Sequence, residues 1–272
     1  MAEKREGAAL RKFKEDLAAG TPGPAYIFYG EESYLRSHYL GELRKKLIPA
    51  GFEEFNDHAL DGKTLTVEAL SEAVEAMPMM AERTLTVVTD WDLFKLGEDQ
   101  REKLIALLAD LPDYGCLVFV YDTVPYKPNK TMKKLCKAIS DHVEAVEFAP
   151  VSGSDLVAWV ARRFRALDKD IDRQTAEYLI FTCGSLMTGL VQEIGKIAAY
   201  AKGKTVTEKD IDAVADPMQR QLLELRYLCG WGWQQIADKL HYARETVCRA
   251  HRKALDDLVY APPAAEVVTP RQ

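Results

Sequence analysis

The loop at residues 30–36 (GEESYLR) is the first place where the sequence offers residues for chemistry. It follows a short apolar run, Ala25–Tyr29, and precedes a helical pattern, which is how phosphate-binding loops are placed in α/β proteins. Such a loop needs a second glycine and a lysine, because backbone amides and a lysine must neutralise the phosphate charge. Here Glu31 and Glu32 supply negative charge instead, which repels a triphosphate at short range. We therefore expect neither nucleotide hydrolysis nor a bound cofactor.

The remaining residues with catalytic or metal-binding chemistry form no site in the sequence. Asp90 and Asp92 end the run TLTVVTDWD and could imitate a magnesium-binding aspartate, but without the phosphate loop they favour a turn at the end of a strand. The five histidines offer no nucleophile–base set, and the five cysteines are scattered without a C-x-x-C pair. We expect no catalytic residue, no metal site and reduced thiols in a cytoplasmic protein.

Composition limits the class of protein. The 272 residues are 47% hydrophobic, enough to bury a core, and the length suggests two domains with room for a small third. No apolar run approaches the roughly 20 residues needed to span a bilayer, and the N-terminus lacks an apolar signal-peptide segment, so we expect neither membrane contact nor secretion. The net charge of −6 excludes a polybasic nucleic-acid binder, so any contact with DNA must come from a local patch.

Residues 1–150 predict an α/β domain. Strands are expected at Ala25–Tyr29, Phe55–Leu60, Thr84–Thr89, Cys116–Tyr121 and Val143–Phe148, and helices at Ser33–Leu47, Val67–Ala76, Gln100–Leu108 and Thr131–Ile139. Apolar strands separated by helices indicate a parallel sheet that is covered on both faces.

The rest of the chain predicts helices only. Residues 151–216 form a small helical domain, with helices expected at Asp155–Leu167, Arg173–Cys183, Leu186–Ala201 and Thr207–Ala215. A further break follows at Asp216–Pro217, where the charge changes: residues 217–272 carry eight basic and six acidic side chains, whereas residues 1–216 have a balance of −8. We expect a helix-turn-helix at 217–260, with its turn at 241–243, and a disordered proline-rich tail at 261–272.

Three segments together resemble the delta subunit of bacterial DNA polymerase III, the clamp-opening member of the sliding-clamp loader. They are YIFYGEESYL at 26–35, AMPMMAERTLTVV at 76–88 and GSLMTGLVQEIGKIAAYAKGKTVTEKDIDAV at 184–214, and the resemblance covers residues 8–216. It implies an AAA+-like module that has lost its nucleotide site, followed by a helical lid. It also implies a non-catalytic subunit of a DNA-directed DNA polymerase holoenzyme that acts in DNA replication.

The adjacent methionines Met79 and Met80 follow Pro78 at a helix-to-strand junction. By residue type alone they either fill gaps in the local core or form an adaptable apolar plug for a partner's pocket. The resemblance implies the second role, because delta subunits place two large apolar residues here that enter a pocket of the sliding clamp. It assigns clamp binding to Pro78, Met79, Met80 and Arg83, although family members usually have Leu or Phe where this chain has methionine.

A lysine cluster within residues 127–137 contains no acidic residue; its members are Lys127, Lys130, Lys133, Lys134 and Lys137. The helical spacing of the last four places them on one face. The cluster is either a solvated face or a contact for DNA phosphates or an acidic partner, and the sequence leaves both open.

The C-terminal segment resembles region 4 of sigma factors and the sigma-like domains of phage activators. Its expected core is Trp233, Ile236, Ala237, Leu240, Val247 and Leu255. The resemblance predicts base contacts from the N-terminal part of the second helix and phosphate contacts further along. The candidates are Arg244, Glu245, Thr246 and Arg249 for bases, and Arg252 and Lys253 for phosphates. A helical packing module with a basic face is the alternative.

Two functions follow from these resemblances. The first is a delta-like clamp-loader subunit that binds and opens the sliding clamp (beta) without hydrolysing ATP, and that contacts duplex DNA through its C-terminal motif. The second is a transcription regulator that acts through that motif. We find no collar domain of the kind by which delta subunits join the other clamp-loader subunits, which speaks against assembly into a full ring. A natural fusion, a phage-associated variant and a faulty gene model all fit the join at 216/217.

Overall fold

The computed structural model describes residues 7–151, 153–214, 222, 224–240 and 244–259, with the side chains of 224, 228 and 253–259 left out. The predicted turn at 241–243 and the predicted tail at 261–272 lie outside these residues. The chain forms two compact units. One runs up to Leu156 and includes Ser185–Gly189, and the other comprises Val157–Gly184 and the residues from Leu190 onward.

A parallel sheet of five strands forms the centre of the first unit. The strands are β1 (Ala25–Tyr29), β2 (Asp57–Asp61), β3 (Thr84–Thr89), β4 (Gly115–Val120) and β5 (Glu144–Glu147). They lie side by side in the order β2-β3-β4-β1-β5, and every neighbouring pair is parallel. In β1, which lies between β4 and β5, Ile27 lies opposite Phe119 on one side and Ala145 on the other. The prediction of a parallel sheet is confirmed.

Helices cover both faces of this sheet. They are α1 (Ala8–Ala19), α2 (Ser33–Leu47), α3 (Glu53–Asn56), α4 (Val67–Glu75), α5 (Glu98–Ala109) and α6 (Lys133–His142). Successive side chains of a strand point to opposite faces, so β1 sends Ala25 and Ile27 into one buried cluster and Tyr26 and Phe28 into another. This burial on both sides explains why β1 and β4 are almost continuously apolar.

Helix α1 was not predicted from the sequence. Its residues Leu10 and Phe13 are buried and Leu17 packs beside them, a helical spacing that is partly hidden among charged residues. The Phe13 ring is fully buried and makes edge-to-face contacts with Tyr26 and Phe28, with ring centroids 5.0 and 5.1 Å apart. The helix therefore closes one face of the sheet.

Most element boundaries differ from the prediction by a few residues, and two of these differences have a clear local reason. Strand β2 begins at Asp57 and not at Phe55, because Phe55 and Asn56 complete the single turn of α3. Helix α6 begins at Lys133 and not at Thr131, because the Asn129 side chain accepts hydrogen bonds from the amide and hydroxyl of Thr131 and holds a turn there.

Helices make up the second unit and its junction with the first. They are α7 (Gly153–Ala166), α8 (Arg173–Cys183), α9 (Met187–Tyr200), α10 (Glu208–Val214), a π-helical turn at Glu224–Leu228, α11 (Trp233–Leu240) and α12 (Arg244–Val259). Helix α8 has the predicted bounds, and the Asp172 side chain caps it by accepting the Thr175 amide at 2.8 Å. No helix within the described residues is long and apolar enough to cross a membrane.

The burial of Phe13 yields a stability prediction. Phe13→Ala should lower the free energy of unfolding by about 3–5 kcal/mol, because it removes a fully buried ring and leaves a cavity. Phe181→Ala is the matched control: that ring is 87% exposed, so its loss should change stability by less than about 0.5 kcal/mol. Urea denaturation followed by circular dichroism measures both. Equal effects of the two substitutions would contradict the assigned role of α1.

Candidate functional site

The segment between α4 and β3 exposes three methionines. Met77, Met79 and Met80 have 77%, 49% and 77% of their surface exposed, although methionine is usually buried. Helix α4 ends at Glu75, and Pro78 follows in the loop. Met80 adopts a φ of 54°, a left-handed conformation that residues other than glycine rarely take. The side chains therefore do not fill the local core, which was one of the two interpretations of the sequence.

The backbone of this segment is attached to α3 through Asn56. The Asn56 side chain is fully buried, and its Oδ1 accepts a hydrogen bond from the Met79 amide at 2.8 Å. Its Nδ2 donates to the carbonyls of Met79 and Phe52, each at 2.9 Å. One buried side chain thus binds both the backbone N–H and the backbone carbonyl of Met79, in the two peptide units that flank its Cα.

Arg83 lies at the same edge of the sheet but points inward. Its guanidinium donates to the carbonyls of Pro22 at 2.7 Å, Gly115 at 2.8 Å and Gly23 at 3.4 Å. These carbonyls precede β1 or begin β4, so Arg83 ties together the amino ends of three strands. That Arg83 binds the clamp stays a prediction. Its hydrogen bonds in the structure are made within the protein and hold the backbone next to the methionine loop.

The loop at residues 30–36 lies at the opposite edge of the sheet, and its polar groups bind other residues of the chain. The Glu32 amide donates to the Phe148 carbonyl at 3.0 Å, so it is occupied in the fold. Gly30 has a φ of 121°, and a side-chain carbon there would lie 2.3 Å from the same carbonyl oxygen. The buried Arg36 donates to the Gly30 carbonyl and pairs with Asp122.

The Glu32 carboxylate lies in the loop after β1 and faces the first turn of α9. It is fully buried and accepts the Met187 amide, at the first turn of α9, at 3.1 Å, while its other oxygen has no hydrogen-bond partner. Burial raises the pKa of Glu32, against the effect of the Met187 and Tyr34 amides and the Arg36 charge. A carboxylate at a helix N-terminus resembles a bound anion in its interactions.

Asp90 organises a turn. Its carboxylate accepts the amides of Asp122, Thr123 and Val124, at 2.8, 2.9 and 3.0 Å, and the Thr123 hydroxyl at 2.6 Å. Burial opposes ionisation, but these hydrogen bonds outweigh it and hold the pKa of Asp90 below its ordinary value. Asp92 caps a short helical turn by accepting the Phe94 amide. The turn expected from the sequence is confirmed, and no cluster that could hold a metal ion occurs among the described residues.

The lysine cluster is exposed but only partly helical. Lys133, Lys134 and Lys137 lie on α6, whereas Lys127 and Lys130 precede it, so the predicted continuous helical face is wrong at its start. All five side chains are exposed, and Lys134 approaches Glu102 at 3.8 Å. Whether the cluster has a partner stays open.

The last two helices share a small apolar core. Leu222, Ile236, Ala237 and Val247 are buried in it. Trp233 and Leu240 pack against this core as expected, and the side chain of Leu255 is outside the described set. On α12, four of the predicted DNA-contacting residues are exposed and Thr246 is half-buried; the exposed ones are Arg244, Glu245, Arg249 and Arg252. Nothing is described for the Lys253 side chain.

An aromatic cluster that the sequence did not indicate supports these helices. His251 of α12 hydrogen-bonds Tyr227 at 2.9 Å and makes an edge-to-face contact with Trp233 at 4.7 Å. The Arg226 guanidinium lies 4.4 Å from the Trp233 ring centre, a cation–π contact. Burial, together with the Arg226 charge, lowers the pKa of His251. The cluster thus joins the π-helical turn to both α11 and α12.

Two family models match the chain, in separate regions. "DNA polymerase III, delta subunit" matches residues 26–148, and "Sigma-70, region 4" matches residues 216–258. DNA polymerase III subunit delta of Bacillus subtilis (strain 168) is 26% identical to this chain in an alignment of 221 residues. The alignment covers 78% of this chain. The chain spans 62% of the length of that relative.

The chain is therefore similar to the DNA polymerase III delta subunit family, whose model matches residues 26–148.

Solved structures with a similar fold include a delta protein. The Bacillus subtilis DNA clamp loader delta protein has a TM-score of 0.53 and 20% identity, covering 90% of this chain and 87% of that one. The Thermotoga maritima RuvB Holliday junction branch migration motor has a TM-score of 0.52 and 12% identity, covering 95% and 90%. The predicted fold class, an AAA+-like α/β sheet followed by helices, is confirmed. The C-terminal segment that follows the delta-family region is similar to sigma region 4, as its sequence indicated.

The environment of Glu32 predicts a pH dependence of stability. With its pKa raised on folding, the folded state binds the proton more tightly than the unfolded state does. Stability should therefore fall as the pH rises from the unfolded glutamate pKa, about 4.3, through the raised value.

Glu32→Gln should remove this loss, since glutamine stays neutral and can still accept the Met187 amide. Urea midpoints of the two proteins, measured between pH 4 and pH 8, give the comparison. Parallel pH profiles for both proteins would show that Glu32 does not titrate in this way.

Proposed function

We propose that the chain is a delta-like subunit of the DNA polymerase III clamp loader, which binds and opens the sliding clamp in DNA replication. The observation that carries this proposal is the exposed Met79–Met80 pair, presented on a loop that buried Asn56 holds in place. The loop lies within residues 26–148, which match the family model of the delta subunit. The relatives from Bacillus subtilis carry the names of delta proteins, one of them a clamp loader.

Two methionines are suited to this task by their chemistry. Their unbranched, polarizable side chains adapt to an apolar pocket, and full burial of each contributes about 1.5–3 kcal/mol. A ligand shifts a conformational equilibrium only by its difference in affinity for the two states. The pair would therefore open the clamp by binding its open form more tightly, with no bond made or broken by this chain.

We propose further that the chain hydrolyses no ATP. The Glu32 amide is used by Phe148, the Glu32 carboxylate lies where phosphates would sit, and Arg36 is engaged with Gly30 and Asp122. A triphosphate would meet a carboxylate, with no lysine in the loop to offset it. The energy of any ATP-driven step would come from another subunit.

The clamp-binding proposal predicts the effect of truncating the two methionines. Met79→Ala combined with Met80→Ala should weaken binding to the organism's sliding clamp by at least about 100-fold, because two apolar anchors are lost. The unfolding midpoint should stay near that of the unmodified protein, since both side chains are exposed. Surface plasmon resonance on immobilised clamp measures the affinity.

Phe181→Ala serves as the control, because it removes an equally exposed apolar side chain outside the delta-family match. It should leave clamp binding unchanged. Retention of full affinity by the double methionine variant would reject the proposal.

A second function, binding to duplex DNA as part of a transcription regulator, is favoured by a separate observation. The segment similar to sigma region 4 exposes Arg244, Arg249 and Arg252 along α12, beside a packed core. Helices of this kind place N-terminal residues at base edges in the major groove and later residues at phosphates. Arg244, Glu245, Thr246 and Arg249 are the proposed base contacts, and Arg252 and Lys253 the phosphate contacts.

Charge removal on α12 tests this second function. Arg249→Ala with Arg252→Ala should weaken binding to a mixed duplex library about ten-fold or more and reduce the slope of log affinity against log salt by about 1–2. Arg162→Ala with Arg165→Ala, two exposed arginines of α7, removes the same charge elsewhere and should have little effect. Fluorescence anisotropy at several salt concentrations measures both. Equal losses from the two pairs would point to non-specific attraction, against an interface on α12.

A further inference from the structure

We infer that Asn56 is the positioning residue of the Met79–Met80 pair, because it fixes the loop in the conformation that presents these side chains to the clamp. This inference rests on the proposed function. The inference adds a residue from a different element, α3. Asn56 itself makes no contact with the partner, because its side chain is fully buried.

The hydrogen bonds of Asn56 are matched to the backbone N–H and the backbone carbonyl of Met79. The Met79 amide can only donate and the Met79 carbonyl can only accept, so the orientation of the Asn56 amide group is determined. A third bond, from Nδ2 to the Phe52 carbonyl, keeps the side chain against its own helical turn. Three of the four hydrogen-bonding positions of the amide are therefore in use.

The methionine loop depends on this contact. Among the described residues, Asn56 is the one side chain that hydrogen-bonds the backbone between Ala76 and Arg83. The next residue, Met80, has the left-handed φ of 54°, which an L-residue leaves readily unless its neighbours are held. Because Met77, Met79 and Met80 are exposed, the packing of their side chains contributes little to holding the loop in place.

A fixed loop improves binding in a defined way. When only a fraction of the molecules has the competent conformation, the apparent affinity equals the intrinsic affinity multiplied by that fraction. If the loss of Asn56 reduces this conformation to about one-tenth of the population, clamp affinity falls about ten-fold. The same substitution should expose the Met79 amide, which lies in an exposed segment and is protected by Asn56.

A mutant cycle in the full-length chain tests the inference. The variants are Asn56→Ala, Met80→Ala and their combination, with Asn129→Ala as the control, because Asn129 also organises a loop of this unit by side-chain hydrogen bonds. Clamp affinity is measured by surface plasmon resonance, and exchange of the peptide covering 76–83 is followed by hydrogen–deuterium mass spectrometry. Should Asn56→Ala fail to fold, Asn56→Asp, which keeps the acceptor for the Met79 amide, takes its place.

We expect Asn56→Ala to weaken binding about ten-fold and to speed exchange at 76–83, and its effect to shrink when Met80 is already alanine. Asn129→Ala should change neither reading. Full affinity in the Asn56 variant, or an effect independent of Met80, would overturn the inference. Loss of binding on truncating Met79 and Met80 would in that case leave the proposed function standing. If instead truncation of the methionines left affinity unchanged, the proposed function would fail, whatever the exchange data showed.

Discussion

Burial of the central sheet on both faces is the constraint on which the rest of the structure depends. Strand β1 lies between β4 and β5 and sends alternate side chains into two separate apolar clusters. A strand of this kind has no face left for polar function, so functional residues are confined to the loops at its ends. Because all five strands are parallel, these loops fall at two opposite edges.

The two edges have different uses in this chain. At the carboxyl edge, where α/β proteins commonly bind ligands, Arg36 donates to the Gly30 carbonyl and one Glu32 oxygen accepts the Met187 amide, while the other Glu32 oxygen has no hydrogen-bond partner. At the amino edge, Arg83 holds the strand ends together and Asn56 fixes the loop that exposes Met79 and Met80. The carboxyl edge is thus used for contacts within the protein, and apolar side chains are exposed at the amino edge.

Much of the fold could be predicted from the sequence, because strands buried on both faces are nearly continuous in apolar residues. The run Thr84–Thr89 and the helix Arg173–Cys183 have the predicted bounds. Helix α1 escaped prediction because charges interrupt its apolar spacing. The predicted start of α6, at Thr131, was too early because the turn at Asn129 depends on a side-chain hydrogen bond.

Residue type alone leaves two interpretations of the adjacent methionines, a filled gap in the local core or an apolar plug for a partner, and the second comes from the resemblance to delta subunits. Glu31 and Glu32 predict that the loop after β1 does not bind a triphosphate. The role of Asn56 had no such signal, because the sequence pattern placed this residue inside the predicted strand Phe55–Leu60 and not in a helical turn. Its contact with Met79 joins residues 23 positions apart and appears only when α3 packs against the methionine loop.

The most direct test of the account is hydrogen–deuterium exchange of the intact chain, with and without the organism's sliding clamp. If the methionine loop is the clamp-binding surface, the clamp should slow exchange in the peptide covering 76–83 and leave α12 unchanged. Protection confined to α12, or no protection at 76–83 at saturating clamp, would contradict it.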